Sequence, residues 1–325
     1  MEVCSICNSS SLMELFNAHP LDYSSTANFK IVKCEQCGYV ISSGAANNIT
    51  LYESGSYDEK EKFWHKWVRS IFQILEVNKT AYLEKYLQPN ASVFEIGVGK
   101  GNFLSALRNK GYQVAGIEPS KRSFAVASQK LGASIVNCKI EEISSYQSIN
   151  KKYNAIVLWH VLEHLQNPFE IIERLKEHLL PSGILMIGVP NFDSYQSSYG
   201  KNDWYHLDPS RHISHFNPEF LKIQLTKGNF SIEKIYFNSF YQNFVGEMIT
   251  ISNKLSPFKN IIFNTLRVNR NYFKTSGTWF VPFLFVYEII LTGLLILPVF
   301  FWTLLTQVVN KAGTMVCIAK LDNKL

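Results

Sequence analysis

Charged residues are scarce in this chain of 325 residues, at 18% against 46% hydrophobic residues. That composition excludes a disordered chain, which carries more charge and fewer apolar residues. The mean hydropathy of −0.03 is too low for a protein built mainly of transmembrane helices. The net charge of +6 is too small to indicate nucleic-acid binding by itself. The length predicts about two domains with a buried core.

The first residues also lack a secretory signal, because no positively charged stretch followed by an apolar core occurs there. We therefore expect a cytoplasmic chain whose thiols stay reduced. Cysteine is rare too, with six residues in all. Four of them form two CxxC pairs, one at Cys4 and Cys7 and the other at Cys34 and Cys37. This spacing predicts a closed, structural zinc site with four thiolate ligands rather than a redox dithiol.

A strand, a glycine-rich turn and the start of a helix follow one another in residues 92–104, SVFEIGVGKGNFL. A second apolar strand over residues 113–117 ends at Glu118. Glycines let the backbone approach a ligand at a helix N-terminus, and an acid after the second strand suits the hydroxyls of a ribose. The combination predicts an α/β nucleotide-binding sheet.

These segments resemble the class I S-adenosylmethionine-dependent methyltransferases, over about residues 90–250 and a last strand near 314–319. The resemblance implies a Rossmann-like seven-stranded sheet and S-adenosylmethionine as the cofactor. It implies that the residues from Glu95 to Gly101 wrap the methionine end of the cofactor and that Glu118 holds its ribose. The cofactor-binding candidates are Glu95, Gly97, Gly99, Gly101, Glu118, Ile140 and His160. Lys139 and Asn154 stand where many members have Asp, which leaves a catalytically degenerate binding module open.

The predicted fourth strand, residues 153–159, runs into the sequence HVLEHL at 160–165. This segment is similar to one that the family places at the carboxyl edge of the sheet, where ligands bind. The spacing of His160, Glu163 and His164 also matches an inverted zinc-protease motif. It resembles the metal-binding ExxEH of some quinone O-methyltransferases, with a histidine in place of the first acid. A catalytic metal therefore stays open, as does a role for Glu163 and His164 in bracing the sheet edge.

Residues 203–216, DWYHLDPSRHISHF, resemble a stretch that such methyltransferases carry over the active site. Methyl transfer to a hydroxyl or an acidic carbon needs a base with a pKa near neutrality, a task that suits histidine. The candidate catalytic bases are His160, His206 and His212. Arg211 and Glu163 are candidates to bind substrate, although Arg211 could instead pair with Asp208.

The pattern divides the chain into four segments. A zinc ribbon is expected over residues 1–45, a helical linker over 46–88, and the cofactor-binding domain over 89–250, completed by a strand at 313–320. Residues 251–311 are expected to form a membrane-associated helical segment. Residues 248–287 hold no acid and 289–310 no charge at all, a pattern typical of a basic amphipathic helix and an apolar helix at an anionic membrane surface. A solvated basic face is the alternative for the first part.

The apolar segment has a constrained topology if residues 314–319 close the sheet, because both of its ends then lie on one side of the membrane. We therefore expect a re-entrant or surface-lying hairpin that bends at Pro298. A single span with a detached C-terminus and a helix buried in a dimer interface stay open.

A zinc module in front of this domain resembles bacterial enzymes of cell-surface polysaccharide and modified-sugar pathways. We therefore expect a methyltransferase for a sugar, or for a lipid-linked glycan or polyprenoid intermediate, at the cytoplasmic face of the membrane. An RNA methyltransferase is the alternative within the same chemistry, and the apolar tail argues against it. The acceptor atom and the oligomeric state stay open.

Overall fold

The computed structural model of the protein describes residues 3–20, 28–44, 79–147, 149–256, 259–261 and 281–322. Of the helical linker predicted at 46–88, only the part from residue 79 onward lies within these ranges, and residues 79–84 are helical. Of the basic segment 248–287, residues 257–258 and 262–280 lie outside them.

The described part of the chain contains strands and α-helices in alternation, as an α/β fold requires. The strands are β1 (Leu12–Ala18), β2 (Phe29–Cys34), β3 (Val40–Ser43), β4 (Ser92–Ile96), β5 (Gln113–Ile117), β6 (Ile135–Val136), β7 (Tyr153–Trp159), β8 (Leu179–Pro190), β9 (Ser214–His215), β10 (Phe230–Tyr236) and β11 (Thr314–Leu321). The α-helices with both ends described are α1 (Asn102–Asn109), α2 (Lys121–Leu131), α3 (Pro168–Lys176), α4 (Tyr195–Gly200), α5 (Pro218–Lys227), α6 (Phe240–Leu255) and α7 (Val281–Val308).

Seven strands form the main sheet in the order β10-β11-β8-β7-β4-β5-β6. The pairs among β8, β7, β4, β5 and β6 are parallel, and β11 is antiparallel to both of its neighbours. Alternate side chains enter two separate cores: Val93 and Val157 on one face, Phe94 and Leu158 on the other. Both faces are therefore covered, which explains the near-continuous apolar sequence of these strands. The predicted Rossmann-like seven-stranded fold is confirmed.

A smaller sheet joins the N-terminal segment to the main domain, in the order β1-β2-β3-β9. Its last strand comes from residues 214–215, where Val40 pairs with His215 and Ile41 with Ser214. The Oη of Tyr39 lies 2.5 Å from the Oγ of Ser214, and the Oγ of Ser42 lies 2.8 Å from a ring nitrogen of His215. The cysteine-bearing segment is thus built onto the chain that follows the predicted active-site stretch.

The apolar segment forms one continuous helix, α7, with Pro298 inside it. The predicted hairpin bent at Pro298 is therefore wrong. A proline removes one helical hydrogen bond, and packing along α6 supports the helix on both sides of it: Phe300 contacts Phe240, and the Oη of Tyr287 donates to the carbonyl of Leu255. The alternative with a detached C-terminus is wrong as well, because β11 lies between β8 and β10.

Candidate active site

The four N-terminal cysteines converge on one point. Their sulfur atoms all lie within 4.8 Å of one another. Cys4 Sγ is 3.5 Å from Cys37 Sγ, and Cys7 Sγ is 3.5 Å from Cys34 Sγ. Disulfides are excluded at these distances, whereas thiolates on a tetrahedral zinc lie about 3.8 Å apart. The donor set and its spacing are therefore compatible with zinc.

The glycine-rich turn after β4 has a left-handed backbone at Gly97, Gly99 and Gly101, a conformation that favours glycine. The three glycines serve different purposes. A Cβ on Gly97 would lie 2.7 Å from Val161, and one on Gly101 would lie 3.0 Å from Leu131 in α2. A Cβ on Gly99 would meet nothing within 4 Å. Gly97 and Gly101 thus permit close packing, and the backbone at Gly99 borders open space that a ligand can enter.

Glu118 lies directly after β5 with its carboxylate turned towards this turn. One oxygen accepts the backbone N–H of Gly99 at 2.7 Å, and the other accepts that of Ser120 at 2.9 Å. Burial raises the pKa of Glu118, although the two amides oppose this shift. Asn137 supports the same segment by donating to the Glu118 carbonyl at 2.7 Å. The carboxylate stands beside the open side of the turn, as a ribose-binding acid requires.

The remaining cofactor candidates occupy the same edge of the sheet. Glu95 is buried at the end of β4. Ile140 is half-buried at the start of a 3₁₀ turn over residues 140–145, where Glu142 accepts the backbone N–H of Lys139. Asn154 lies at the opposite, amino end of β7, where its Oδ1 accepts two hydrogen bonds from Ser92. Its departure from the family pattern is therefore remote from the cofactor edge.

His160 follows β7 with a backbone φ of 52°, a conformation uncommon outside glycine and asparagine and often found at functional sites. Its Nδ1 lies 2.8 Å from Oε1 of Glu163, and its Nε2 lies 2.9 Å from the side-chain nitrogen of Gln242. The amide of Gln242 is oriented by Ser239, whose hydroxyl donates to Oε1 of Gln242 at 2.8 Å. This network gives His160 a proton on Nδ1 and a lone pair on Nε2.

Of the other two candidate bases, His206 is less accessible than His160, and His212 is half-buried like it. His206 is buried, and its ring lies parallel to that of His160 with centroids 6.4 Å apart. Burial lowers the pKa of His206 to about 3, and the proximity of His160 acts in the same direction. His212 is half-buried and its ring contacts that of His164, with centroids 4.8 Å apart. Catalytic roles for these two residues stay predictions.

Glu163 is 1% exposed and keeps its charge through its neighbours. Burial by itself would raise its pKa, but the hydrogen bond from His160 and the nearby His160, His164 and His212 lower the pKa to about 2. Its backbone carbonyl accepts the N–H of Ile213 at 2.8 Å. Glu163 therefore joins the turn after β7 to the stretch before β9. A substrate-binding role for Glu163 stays a prediction.

Arg211 pairs with Asp208, as the alternative for this residue predicted. Its Nε and a terminal nitrogen both lie 2.6 Å from Oδ2 of Asp208. The side chains remain 28% and 21% exposed, so an anionic ligand could still approach the guanidinium. A substrate-binding role for Arg211 stays a prediction.

Sequence reasoning missed Gln242 and Ser239, which complete the surroundings of His160. Ser239 is the residue before α6, and its bond to Gln242 at the third helical position resembles a capping arrangement. The pattern SxxQ therefore indicates a helix start. No signal in the sequence indicates that this helix start faces His160, 82 residues earlier.

Comparison with known proteins agrees with this geometry. A family model described as a methyltransferase domain matches residues 62–235, more than half of the chain. An uncharacterised methyltransferase of Oceanobacillus iheyensis is 29% identical over 114 residues, which cover 34% of this chain and 52% of that protein. A ubiquinone biosynthesis O-methyltransferase of Rickettsia canadensis is 26% identical over 147 residues, covering 40% and 61% respectively. The chain thus spans little more than half the length of these curated relatives.

Among solved structures, a methyltransferase from Archaeoglobus fulgidus that depends on S-adenosylmethionine aligns with a TM-score of 0.47 and 18% identity. That alignment covers 80% of this chain and 100% of the other. The family match itself extends across the glycine-rich turn, Glu118 and the segment of His160. The chain therefore belongs to the methyltransferase-domain family.

Proposed function

We propose that this enzyme methylates a sugar, or a lipid-linked glycan or polyprenoid intermediate, at a membrane surface. The observation that carries the proposal is the position of His160 at the cofactor edge of a domain that also presents an apolar helix, α7. S-adenosylmethionine, when bound, supplies an electrophilic methyl group on its sulfonium. Gly99 and Glu118 would hold that cofactor, and Ile140 would border its adenine.

His160 is the residue best placed to receive a proton from the acceptor. Glu163 holds its Nδ1, so the lone pair on Nε2 points to the position of the Gln242 amide. An acceptor hydroxyl that replaced this amide would donate its hydrogen to Nε2 of His160. Gln242 would then be released to contact the substrate. General-base help of this kind contributes about 10²–10⁴-fold to a rate.

A membrane location is supported by the way α7 lies on the protein. Val299, Thr303 and Thr306 are buried on one side of the helix. The opposite side is an apolar stripe whose side chains are between 50% exposed, at Leu305, and 79% exposed, at Val308. The members of the outward stripe are Ile290, Leu294, Leu297, Phe301, Leu305 and Val308.

The stretch Ile289–Val308 has a mean hydropathy of 2.3 and is long enough to cross a membrane, with only 17% of it buried. Because α7 packs along α6 and both of its ends are tied to the domain, we infer that it lies in the plane of the membrane–water interface and buries its apolar stripe in one leaflet. The ion pair of Lys311 with Asp193, at 2.7 Å, holds the C-terminal end.

We also propose that Cys4, Cys7, Cys34 and Cys37 bind one structural zinc ion. All four positions of a tetrahedral ion would be occupied by protein sulfur, so the site has no position for substrate. The ion would stabilise β1, β2 and β3, and through β9 the stretch that contains His212.

Cofactor binding tests the first part of the proposal. Replacing Glu118 by Gln removes the charged acceptor for the ribose hydroxyls. A hydrogen bond to a charged group contributes about 1.5–3 kcal/mol to the free energy of binding. Titration calorimetry should therefore show about 10- to 100-fold weaker binding of S-adenosylmethionine to E118Q. The same change at the exposed Glu141 is the matched control and should leave the affinity unchanged. A wild-type chain that binds no cofactor would support the degenerate binding module instead.

Transfer of a labelled methyl group tests the acceptor class. Membrane extract incubated with the enzyme and methyl-labelled S-adenosylmethionine should yield label in the lipid fraction or in sugars. At saturating S-adenosylmethionine, His160→Gln should transfer label at least about 10²-fold more slowly than wild type, because it lacks the proton acceptor. Label found only in RNA would contradict the proposal and favour the RNA alternative.

Removal of zinc tests the N-terminal site. Purified protein should contain zinc, and a strong chelator should lower the melting temperature, because metal binding contributes to the folding free energy of small modules. Cys37→Ser should lose the same zinc, whereas Cys138→Ser, which changes a buried cysteine outside the cluster, should retain it. Equal metal content in wild type and C37S would refute the assignment.

Vesicle flotation tests the membrane contact. Wild type should float with vesicles that contain anionic lipid, and the double variant Leu297→Asp, Phe301→Asp should bind at least about tenfold less, because it loses two apolar contacts with lipid. Ile223→Asp places the same charge at an exposed apolar position of α5 and should float like wild type. Absence of flotation together with a stable dimer that L297D and F301D dissociate would indicate that α7 is a protein interface.

A further inference from the structure

Three potential metal ligands converge beside the proposed active site, in a place separate from the four cysteines. They are Glu163 and His164, in the 3₁₀ turn after β7, and His212, in the stretch before β9. One ligand atom of each lies within 4.8 Å of the ligand atoms of the other two. Two imidazoles and one carboxylate are a common ligand set for a divalent transition metal.

The hydrogen bonds of the two histidines define their tautomers. The Nδ1 of His164 lies 3.0 Å from the carbonyl of Arg211, and the Nδ1 of His212 lies 2.8 Å from the carbonyl of His206. A carbonyl oxygen only accepts, so each Nδ1 must carry the hydrogen, and in the neutral ring Nε2 then carries a lone pair. Backbone carbonyls in this position are the usual outer partners of metal-binding histidines, because they orient the ring and fix its tautomer.

Glu163 adds a third electron-pair donor to the same point. Its Oε1 is bonded to His160. Its Oε2 is buried and has no hydrogen-bond partner among the residues that the structure describes. Leaving a carboxylate oxygen buried without a partner is costly. Two imidazole rings thus converge on a carboxylate that has one buried oxygen without a described partner, an arrangement that suits a cation.

We propose that Glu163, His164 and His212 bind a divalent transition-metal ion, with zinc as the first candidate. Residue 160, which begins the HxxEH pattern, does not belong to the ligand set. Its ring nitrogens are bonded to Glu163 and Gln242, and the third ligand comes from a distant stretch of chain. Three protein ligands leave at least one position of the ion for water or another ligand.

The ion would fasten the stretch before β9 to the turn after β7. The two segments already share the hydrogen bond from Ile213 to Glu163 and that from the Ser214 hydroxyl to the Leu165 carbonyl, at 2.8 and 3.1 Å. A metal on Glu163 would also restrict the carboxylate that orients His160. This positioning effect rests on the proposed function, whereas binding of the metal does not.

Metal content of the full chain tests the proposal without an activity assay. After dialysis against zinc and removal of loosely bound ions, elemental analysis should find about two zinc ions per wild-type chain, one for each site. His164→Asn and His212→Asn keep an N–H for the carbonyls of Arg211 and His206 but lack the Nε2 ligand atom, so each should bind about one ion. His19→Asn changes an exposed histidine and should still bind about two.

Cobalt substitution identifies which site each variant loses. The cysteine site should give strong sulfur-to-cobalt charge-transfer absorption, and the histidine site only weak visible bands. H164N, H212N and Glu163→Gln should lose the weak bands and retain the strong ones, which also shows that they have folded. A wild-type chain with a single ion, or a second ion that survives in both histidine variants, would overturn the proposal and leave a hydrogen-bonded cluster. Calorimetry with S-adenosylmethionine, run on the same preparations, reports separately on the proposed function.

Discussion

The buried carboxylate of Glu163 is the interaction on which the site's arrangement depends. A charge with 1% exposure is tolerated only when hydrogen bonds and opposite charges surround it. His160 is hydrogen-bonded to one oxygen of this carboxylate, and ring nitrogens of His164 and His212 lie within 4.8 Å of a carboxylate oxygen of the same residue. The orientation of the candidate base and the convergence of the two other rings therefore involve one buried side chain.

The parallel sheet supplies the frame for that arrangement. Because β4, β5 and β7 run in the same direction, their carboxyl ends meet at one edge, and the loops that follow them meet there too. The turn after β4 contributes Gly99, the residue after β5 is Glu118, and β7 ends next to His160. Each segment leaves its strand through a left-handed backbone or a buried acid, so the edge combines backbone strain with buried charge.

The N-terminal module and α7 connect this edge to the rest of the molecule. β3 pairs with β9, so the cysteine cluster supports the same stretch that carries His206 and His212. α7 precedes β11, which is held between two strands of the main sheet. An apolar helix tied in this way cannot leave the domain without breaking the sheet. A contact with lipid along its outward stripe would therefore place the cofactor edge at a fixed position relative to the membrane surface.

Much of the fold and part of the site could be predicted from local patterns. The bounds of β4, β5 and β7, the cysteine pairs, the glycine turn and Glu118 all follow from residues that are neighbours in sequence, because strand alternation, φ > 0 and ligand spacing are local requirements. The same reasoning failed at Pro298, since the helix is held by packing against α6, which the sequence does not display. It also failed to find Gln242.

What the sequence by itself predicted is the fold class and a candidate cofactor site that includes Gly99 and Glu118, with histidines close by. The tertiary structure decided which histidine contacts Gln242, which ones surround Glu163, and that the cysteine-bearing module shares a sheet with residues 214–215. These outcomes depend on contacts between residues far apart along the chain. These contacts are stabilised by burial and charge pairing in the folded state, and no local sequence pattern predicts them.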